Sequence, residues 1–191
     1  MSISLQLAEE SDLPAIVSLM NAAFRGSSGK QSWNVESFIT GTRTTESLLR
    51  EEIAGGAQFL LTKEDGSSAL RGLVSLQALT PDRWYLGSLT VDPSLQGTGF
   101  GSELLCSAED YSITRGARMM EITVVNVRDA LIAWYERRGY VLTGEKRPFP
   151  YGDDRVGTPT RDDLEFVVLE KDLEYGRGVW LVSVGCRRGP T

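Results

Sequence analysis

The stretch Tyr85-Leu86-Gly87-Ser88-Leu89-Thr90-Val91-Asp92-Pro93-Ser94-Leu95-Gln96-Gly97-Thr98-Gly99-Phe100-Gly101-Ser102 decides the fold. A strand-like run passes into a glycine-rich turn. The turn feeds a helix from Gly101, in which Leu104, Leu105, Ala108 and Tyr111 share one side. Glycines at alternate positions leave the backbone uncovered, so successive N–H groups can converge on an anion. The helix start adds unpaired N–H groups and its positive dipole end. The pattern predicts a phosphate or pyrophosphate cradle that needs no lysine. No Gly-Lys-Ser/Thr closes the turn, which excludes the nucleotide-kinase loop, and the glycine spacing is not that of the dinucleotide fingerprint. Taken alone, the same residues also suit a tight strand-to-helix turn that binds nothing.

Upstream, residues 3–8 alternate as a strand would. Ser11-Asp12-Leu13-Pro14 then opens a helix, capped by Ser11 or Asp12, with Leu13, Ile16, Val17, Met20 and Phe24 on its buried face. Gly26-Ser27-Ser28-Gly29 ends it as a flexible loop, and a second helix spans residues 46–54 before Gly55-Gly56. Residues 58–64, 69–80 and 83–91 read as an antiparallel meander joined by Asp65-Gly66-Ser67 and Pro81-Asp82. Downstream come a buried strand over 119–125 and a helix over 129–138, closed by Gly139 with Arg137 and Arg138 in its last turn. Strands over 140–146 and 164–169 complete the order. This order predicts an α/β fold with a single mixed, mostly antiparallel central sheet flanked by helices. Residues 1–173 read as one domain. In 174–191, Gly and Arg surround an apolar stretch over 179–184, which suits an extra edge strand, a partner-binding segment or a disordered end.

Composition narrows the chemistry. The chain has 191 residues, 41% hydrophobic and 24% charged, as an ordinary soluble globular protein has. Twenty basic against 26 acidic residues leave a net charge of −6, which speaks against a nucleic-acid surface. Histidine is absent, so Ser-His-Asp and Cys-His sites, a histidine base and a His-ligated zinc are all excluded. Cys106 and Cys186 lie far apart, with no second cysteine near either. Both read as reduced thiols of a cytosolic protein, Cys106 on the apolar side of its helix. No signal-peptide pattern and no apolar run of about 20 residues is present, so the expectation is a cytoplasmic chain without membrane, nucleic-acid or metal partners.

Gln96-x-x-Gly99-x-Gly101 resembles the Gln/Arg-x-x-Gly-x-Gly/Ala motif of the GCN5-related N-acetyltransferases, and Val91-Asp92-Pro93 is similar to their preceding strand end. Asn126-x-x-x-Ala130-x-x-x-Trp134-Tyr135-Glu136-x-x-Gly139-Tyr140 resembles their second signature. The likeness covers roughly residues 3–173 and implies the acyl-CoA N-acyltransferase fold. It implies acetyl transfer from acetyl-CoA, as co-substrate and without a metal, to a primary amine of a small molecule or peptide. It further implies two splayed parallel strands with pantetheine in the gap. Leu89, Thr90 and Val91 would then offer it backbone groups, the Leu89 N–H polarising the thioester carbonyl. Gln96, Gly97, Thr98, Gly99, Phe100, Gly101 and Ser102 would hold the pyrophosphate. Asn126 would bond a pantetheine amide, or else cap a helix. Tyr135 would protonate the departing thiolate, its bland alternative being packing against Trp134.

No base follows from these residues. The strand over 85–91 has no carboxylate, leaving a water relay, Glu121 or a late-loop carboxylate, with Glu121 read first as a solvated strand residue. The resemblance assigns the acceptor to the loops over 24–47 and 147–163. Trp33 is a candidate pocket wall or a packing anchor. Arg43 is a candidate reader of a substrate carboxylate, as in an amino acid, or a surface arginine. Asp153, Asp154, Asp162 and Asp163 against Arg147, Arg155 and Arg161 form either a solvated mixed-charge loop or an acidic rim for an ammonium. Homodimers are common in the family, and residues 179–184 are a candidate contact. The missing strand carboxylate keeps a second reading open, a non-catalytic acyl-CoA sensor or interaction module.

Overall fold

In the computed structural model, which describes residues 3–26, 32–64 and 66–174, the elements follow the expected order. They are β1 (Gln6–Leu7), α1 (Leu13–Arg25), β2 (Ile39–Thr40), α2 (Glu46–Ala54), β3 (Gln58–Lys63), β4 (Leu70–Ala78) and β5 (Arg83–Val91). Then come α3 (Phe100–Ile113), β6 (Met119–Val125), α4 (Asp129–Glu136), β7 (Val141–Pro148), β8 (Thr158–Pro159) and β9 (Glu165–Asp172). The seven-stranded sheet has the order β1-β3-β4-β5-β6-β9-β7. Within it only β5 and β6 run parallel.

Alternation along the strands sorts side chains to two layers. Leu60, Val74, Leu76, Trp84, Leu86, Met120 and Ile122 belong to one buried cluster with Leu105 and Ala108 of α3 and Tyr135 of α4. Phe59, Leu61 and Leu73 pack with Leu13, Ile16, Leu19, Met20, Ala23 and Phe24 of α1 and Leu49 of α2. Fully burying each large apolar side chain contributes about 1.5–3 kcal/mol, so both helix pairs are held by the sheet they cover. On α1, Val17 is only half-buried, while Leu19 and Ala23 complete the inner face. Thr45 caps α2 by accepting from the Leu48 N–H at 3.3 Å. Asp12 occupies the cap position of α1, but its carboxylate accepts from the Glu9 N–H at 3.0 Å and from Lys63 at 2.8 Å instead.

Several sequence expectations change. β1 pairs over two residues rather than 3–8. α4 stops at Glu136, so Arg138 lies in the turn beyond it. Cys106 is half-buried on α3. Cys186 and the tail over 175–191 lie outside the described residues, as do Ser27, Ser28 and Gly29. Among the described residues no helix is long and apolar enough to cross a membrane.

Candidate active site

The gap between the parallel strands follows from one irregularity in β5. On its β4 side, Leu73 pairs with Thr90 and Ser75 with Gly87, so Ser88 and Leu89 together oppose Val74. Ser88 takes a left-handed φ of +49° to accommodate the extra residue. Such a bulge bends its strand and sharpens the local twist. On the other side, β5 and β6 pair only through Arg83↔Met119, Trp84↔Met120 and Tyr85↔Glu121. Beyond Tyr85 the strands run on to Val91 and Val125 without a ladder between them. Leu89, whose amide is the expected oxyanion donor, sits on the bulge at this divergence. Thr90 is fully buried, its hydroxyl donating to Ser88 O at 2.7 Å, and Val91 is buried beside it.

At the end of β5, Gly97 (φ +78°) and Gly99 (φ +91°) hold the turn open. A methyl group on either would meet nothing within 4 Å. The N–H groups of residues 97–101 find no acceptor among the described residues, and the first turn of α3 begins within them. Uncompensated amides at a helix N-terminus favour an anion. The Gln96 side chain works sideways: its Oε1 accepts from the Trp33 N–H at 2.7 Å and its Nε2 donates to Ser32 Oγ at 3.0 Å. Phe100 is buried under the Arg71 guanidinium, 4.7 Å from its ring centre.

Sequence reasoning missed Arg138 here. Its Nε donates to Ser102 Oγ at 3.1 Å and its Nη1 to Trp134 O at 2.7 Å, while the guanidinium stacks 3.6 Å from a Trp134 ring centre. A cation is thereby fixed on the first turn of α3. The i,i+4 spacing of Trp134 and Arg138 was the available signal.

Tyr135 is 6% exposed and meets Trp134 and Tyr140 edge-on, with ring centres 4.9 and 5.4 Å apart. Its hydroxyl makes no hydrogen bond to any described residue. Burial pushes the phenol well above its ordinary value, opposed by the nearby Arg128 charge. Tyr140 is fixed in turn, donating to Glu109 Oε1 at 3.0 Å, where Lys171 also donates at 2.8 Å. Asn126 uses its side chain on the start of β9, donating to Asp163 O at 3.0 Å and accepting from the Glu165 N–H at 3.2 Å. The helix-cap alternative does not hold, because Arg128 occupies the cap position of α4.

On the opposite side of the gap the two expected acceptor loops are joined. β2 and β8 pair as Ile39↔Pro159 and Thr40↔Thr158. Gly157 permits this approach: a methyl group there would collide with the Thr40 carbonyl and lie 2.9 Å from Ile39 Cγ2. Beneath them, Glu36 pairs with Arg25 at 2.6 Å and Arg128 at 3.4 Å, all three side chains nearly buried. Glu121 is not solvated as expected: it is 3% exposed and pairs with Arg147 at 2.6 Å and Arg83 at 3.5 Å. Both of its oxygens are engaged by guanidiniums. In the late loop, Asp153 pairs with Arg155, and Asp163 with Arg161, which favours the mixed-charge reading over an acidic rim; the Asp154 side chain lies outside the described residues. The Arg155 guanidinium holds the Asp153 carboxyl down at about 2. Trp33 is 54% exposed, so its ring is no packing anchor. Arg43 lies over the Phe24 ring, 5.2 Å from its centre. Between α2 and the β4–β5 strands, a cavity of about 210 Å³ is lined by Glu52, Gly55, Ala57, Ser75, Leu76, Gln77 and Tyr85.

The model of the Acetyltransferase (GNAT) family matches residues 15–140. Among solved structures, the ribosomal-protein-S18-alanine N-acetyltransferase from Escherichia coli superposes with a TM-score of 0.62 at 18% identity, over 89% of this chain and 93% of that one. An N-acetyltransferase from Staphylococcus aureus Mu50 gives 0.60 at 18% identity, over 91% and 99%. A spermidine N-acetyltransferase SpeG chimera from Vibrio cholerae and hSSAT gives 0.64 at 16%, over 93% and 99%. At these identities the likeness is one of fold. No curated protein matches the sequence.

Proposed function

Because the chain belongs to the GNAT acetyltransferase family, we propose that it transfers acetyl from acetyl-CoA to a primary amine by direct attack, with no covalent enzyme intermediate. The observation that carries this reading is the pairing of an open strand gap with uncapped amides over residues 97–101 at its end. The shape and chemistry of these residues fit an acyl-CoA: the amides and the Arg138 cation suit its diphosphate, and the gap suits its pantetheine arm. Bound there, acetyl-CoA supplies an activated thioester.

The chain's own residues then have separable tasks. Gly97, Thr98, Gly99, Phe100, Gly101 and the Ser102–Arg138 pair anchor the anionic end. Gln96 supports the turn from its side rather than touching the diphosphate with its side chain. Leu89, Thr90 and Val91 present the free edge of β5, and the Leu89 N–H donates toward developing negative charge on the carbonyl oxygen. Asn126 keeps one amide hydrogen for pantetheine while fixing β9 with its other bonds. Tyr135, protonated throughout the physiological range, gives its proton to the departing thiolate, a contribution of about 10²-fold, and is reprotonated through water by the proton that the attacking nitrogen loses. Most of the rate comes from holding amine and thioester together. Glu121 is left out of this scheme, being consumed by arginines. The acceptor enters between the loops joined through β2 and β8, past Trp33.

A free-thiol assay with acetyl-CoA and a mixed library of primary amines tests the proposal. Amine-dependent thiol release supports it. No release from any amine, with CoA still raising the melting temperature, leaves the acyl-CoA sensor reading instead.

A further inference from the structure

The carboxylates buried beside the acceptor loops are already saturated. Glu36 holds both Arg25 and Arg128, and Glu121 holds both Arg147 and Arg83. Arg155 and Arg161 are neutralised within the late loop. Arg43 differs from all of these. Among the described residues its guanidinium has no carboxylate within 4.0 Å and donates no hydrogen bond.

Yet Arg43 is held in place. Its N–H donates to Asn21 Oδ1 at 2.6 Å, and Asn21 Nδ2 donates to Val17 O at 2.9 Å and Thr44 O at 3.0 Å, which clamps this corner of the loop onto α1. The buried Thr44 fixes the next residue, and the half-buried guanidinium lies on the Phe24 ring. Its charge reaches Tyr85 and Glu52, both lining the cavity, and Arg128 beside the gap. Glu52 stands at the cavity rim beyond ion-pair distance, its carboxyl raised by partial desolvation against the Arg43 charge. A cation held in position without a partner binds an anion at little further ordering cost.

We infer that the acceptor is an amine that also bears a carboxylate, of the α-amino-acid class, with Arg43 binding the carboxylate from the loop between α1 and α2. This rests on the transferase reading above.

The test is a thiol-release comparison of α-amino acids with their matched carboxamides, their decarboxylated amines and spermidine, in the wild-type chain, Arg43→Gln and Arg43→Lys. The expected result is a preference of about tenfold or more in kcat/KM for the amino acids, since charge-assisted hydrogen bonds are lost in the analogues. That preference collapses to near unity in Arg43→Gln and returns in part in Arg43→Lys, with melting temperatures confirming folded variants. Carboxamides or spermidine turned over as well as the amino acids overturn the inference and leave the transferase standing. An undiminished preference in Arg43→Gln overturns the role of Arg43. Absence of thiol release from every amine overturns the transferase reading itself.

Discussion

The Trp33 N–H donates to Gln96 Oε1 at 2.7 Å, tying the loop on the acceptor side to the first residue of the glycine-rich turn. The Gln96 amide nitrogen strengthens the tie through Ser32 Oγ, itself donating to Ala23 O at 2.7 Å at the end of α1. The two halves of the site therefore share one hinge of hydrogen bonds. Gln96→Ala is expected to raise the KM of both substrates several-fold and to destabilise the fold by about 0.5–1.5 kcal/mol, the net worth of an ordinary hydrogen bond. Steady-state kinetics with each substrate varied check this; a change confined to acetyl-CoA would mean that the tie does not couple them.

Tyr135→Phe is expected to lower kcat by about 10²-fold while the CoA dissociation constant stays within a few-fold. The pH dependence has a definite sign. An acid must hold its proton to act, and burial raises this phenol above the ordinary value of about 10. The wild-type kcat should therefore show no alkaline fall below about pH 10. A fall between about pH 8 and 9 that persists in the Phe variant would assign the ionisation to another group.

Gly99→Val places a branched side chain in the open space in front of the amides. Its left-handed φ adds about 1–2 kcal/mol of strain, and Gly66→Val supplies the control. Gly66 has a φ of +73° with nothing within 4 Å of a methyl group there. Both variants should lose similar stability in thermal melts, but only Gly99→Val should lose CoA binding by calorimetry. Equal CoA affinity in the two would remove the turn from the coenzyme site.

Arg138→Gln keeps a hydrogen-bonding group near Ser102 and removes the charge. CoA affinity should fall about tenfold, and its dependence on salt should weaken, because a screened cation has been deleted. Pantetheine, which carries no phosphate, should bind both forms alike. An equal loss for pantetheine would assign Arg138 to packing against Trp134.

Much of the fold was legible because its signals are local. The apolar spacing of α1, the Gly55-Gly56 stop of α2 and the β-branched run of β6 are each local to one element, and α2 and β6 have the bounds that the sequence predicts. The strand-turn-helix around Gly97 and Gly99 carried the site for the same reason. What escaped notice depends on distant residues. Two-residue strands such as β2 and β8 have no periodicity to read, and their pairing depends on a glycine more than a hundred positions away. The bulge at Ser88 exists only against Val74. Glu121 looks solvated in the chain because Arg83 and Arg147, which bury and pair it, come from β5 and β7. The Asn126 side chain was read toward a ligand or a cap, whereas its partners sit at the start of β9.

The central claim is that an acyl-CoA lies in the β5–β6 gap with its diphosphate on the amides of residues 97–101. A ¹⁵N-resolved NMR titration of the protein with CoA reads those amides directly. The account predicts saturable shifts concentrated at Gly97, Thr98, Gly99, Phe100, Gly101 and Leu89, diminished at the glycine turn when pantetheine replaces CoA. Saturable CoA binding that leaves these resonances unmoved and shifts others would contradict it.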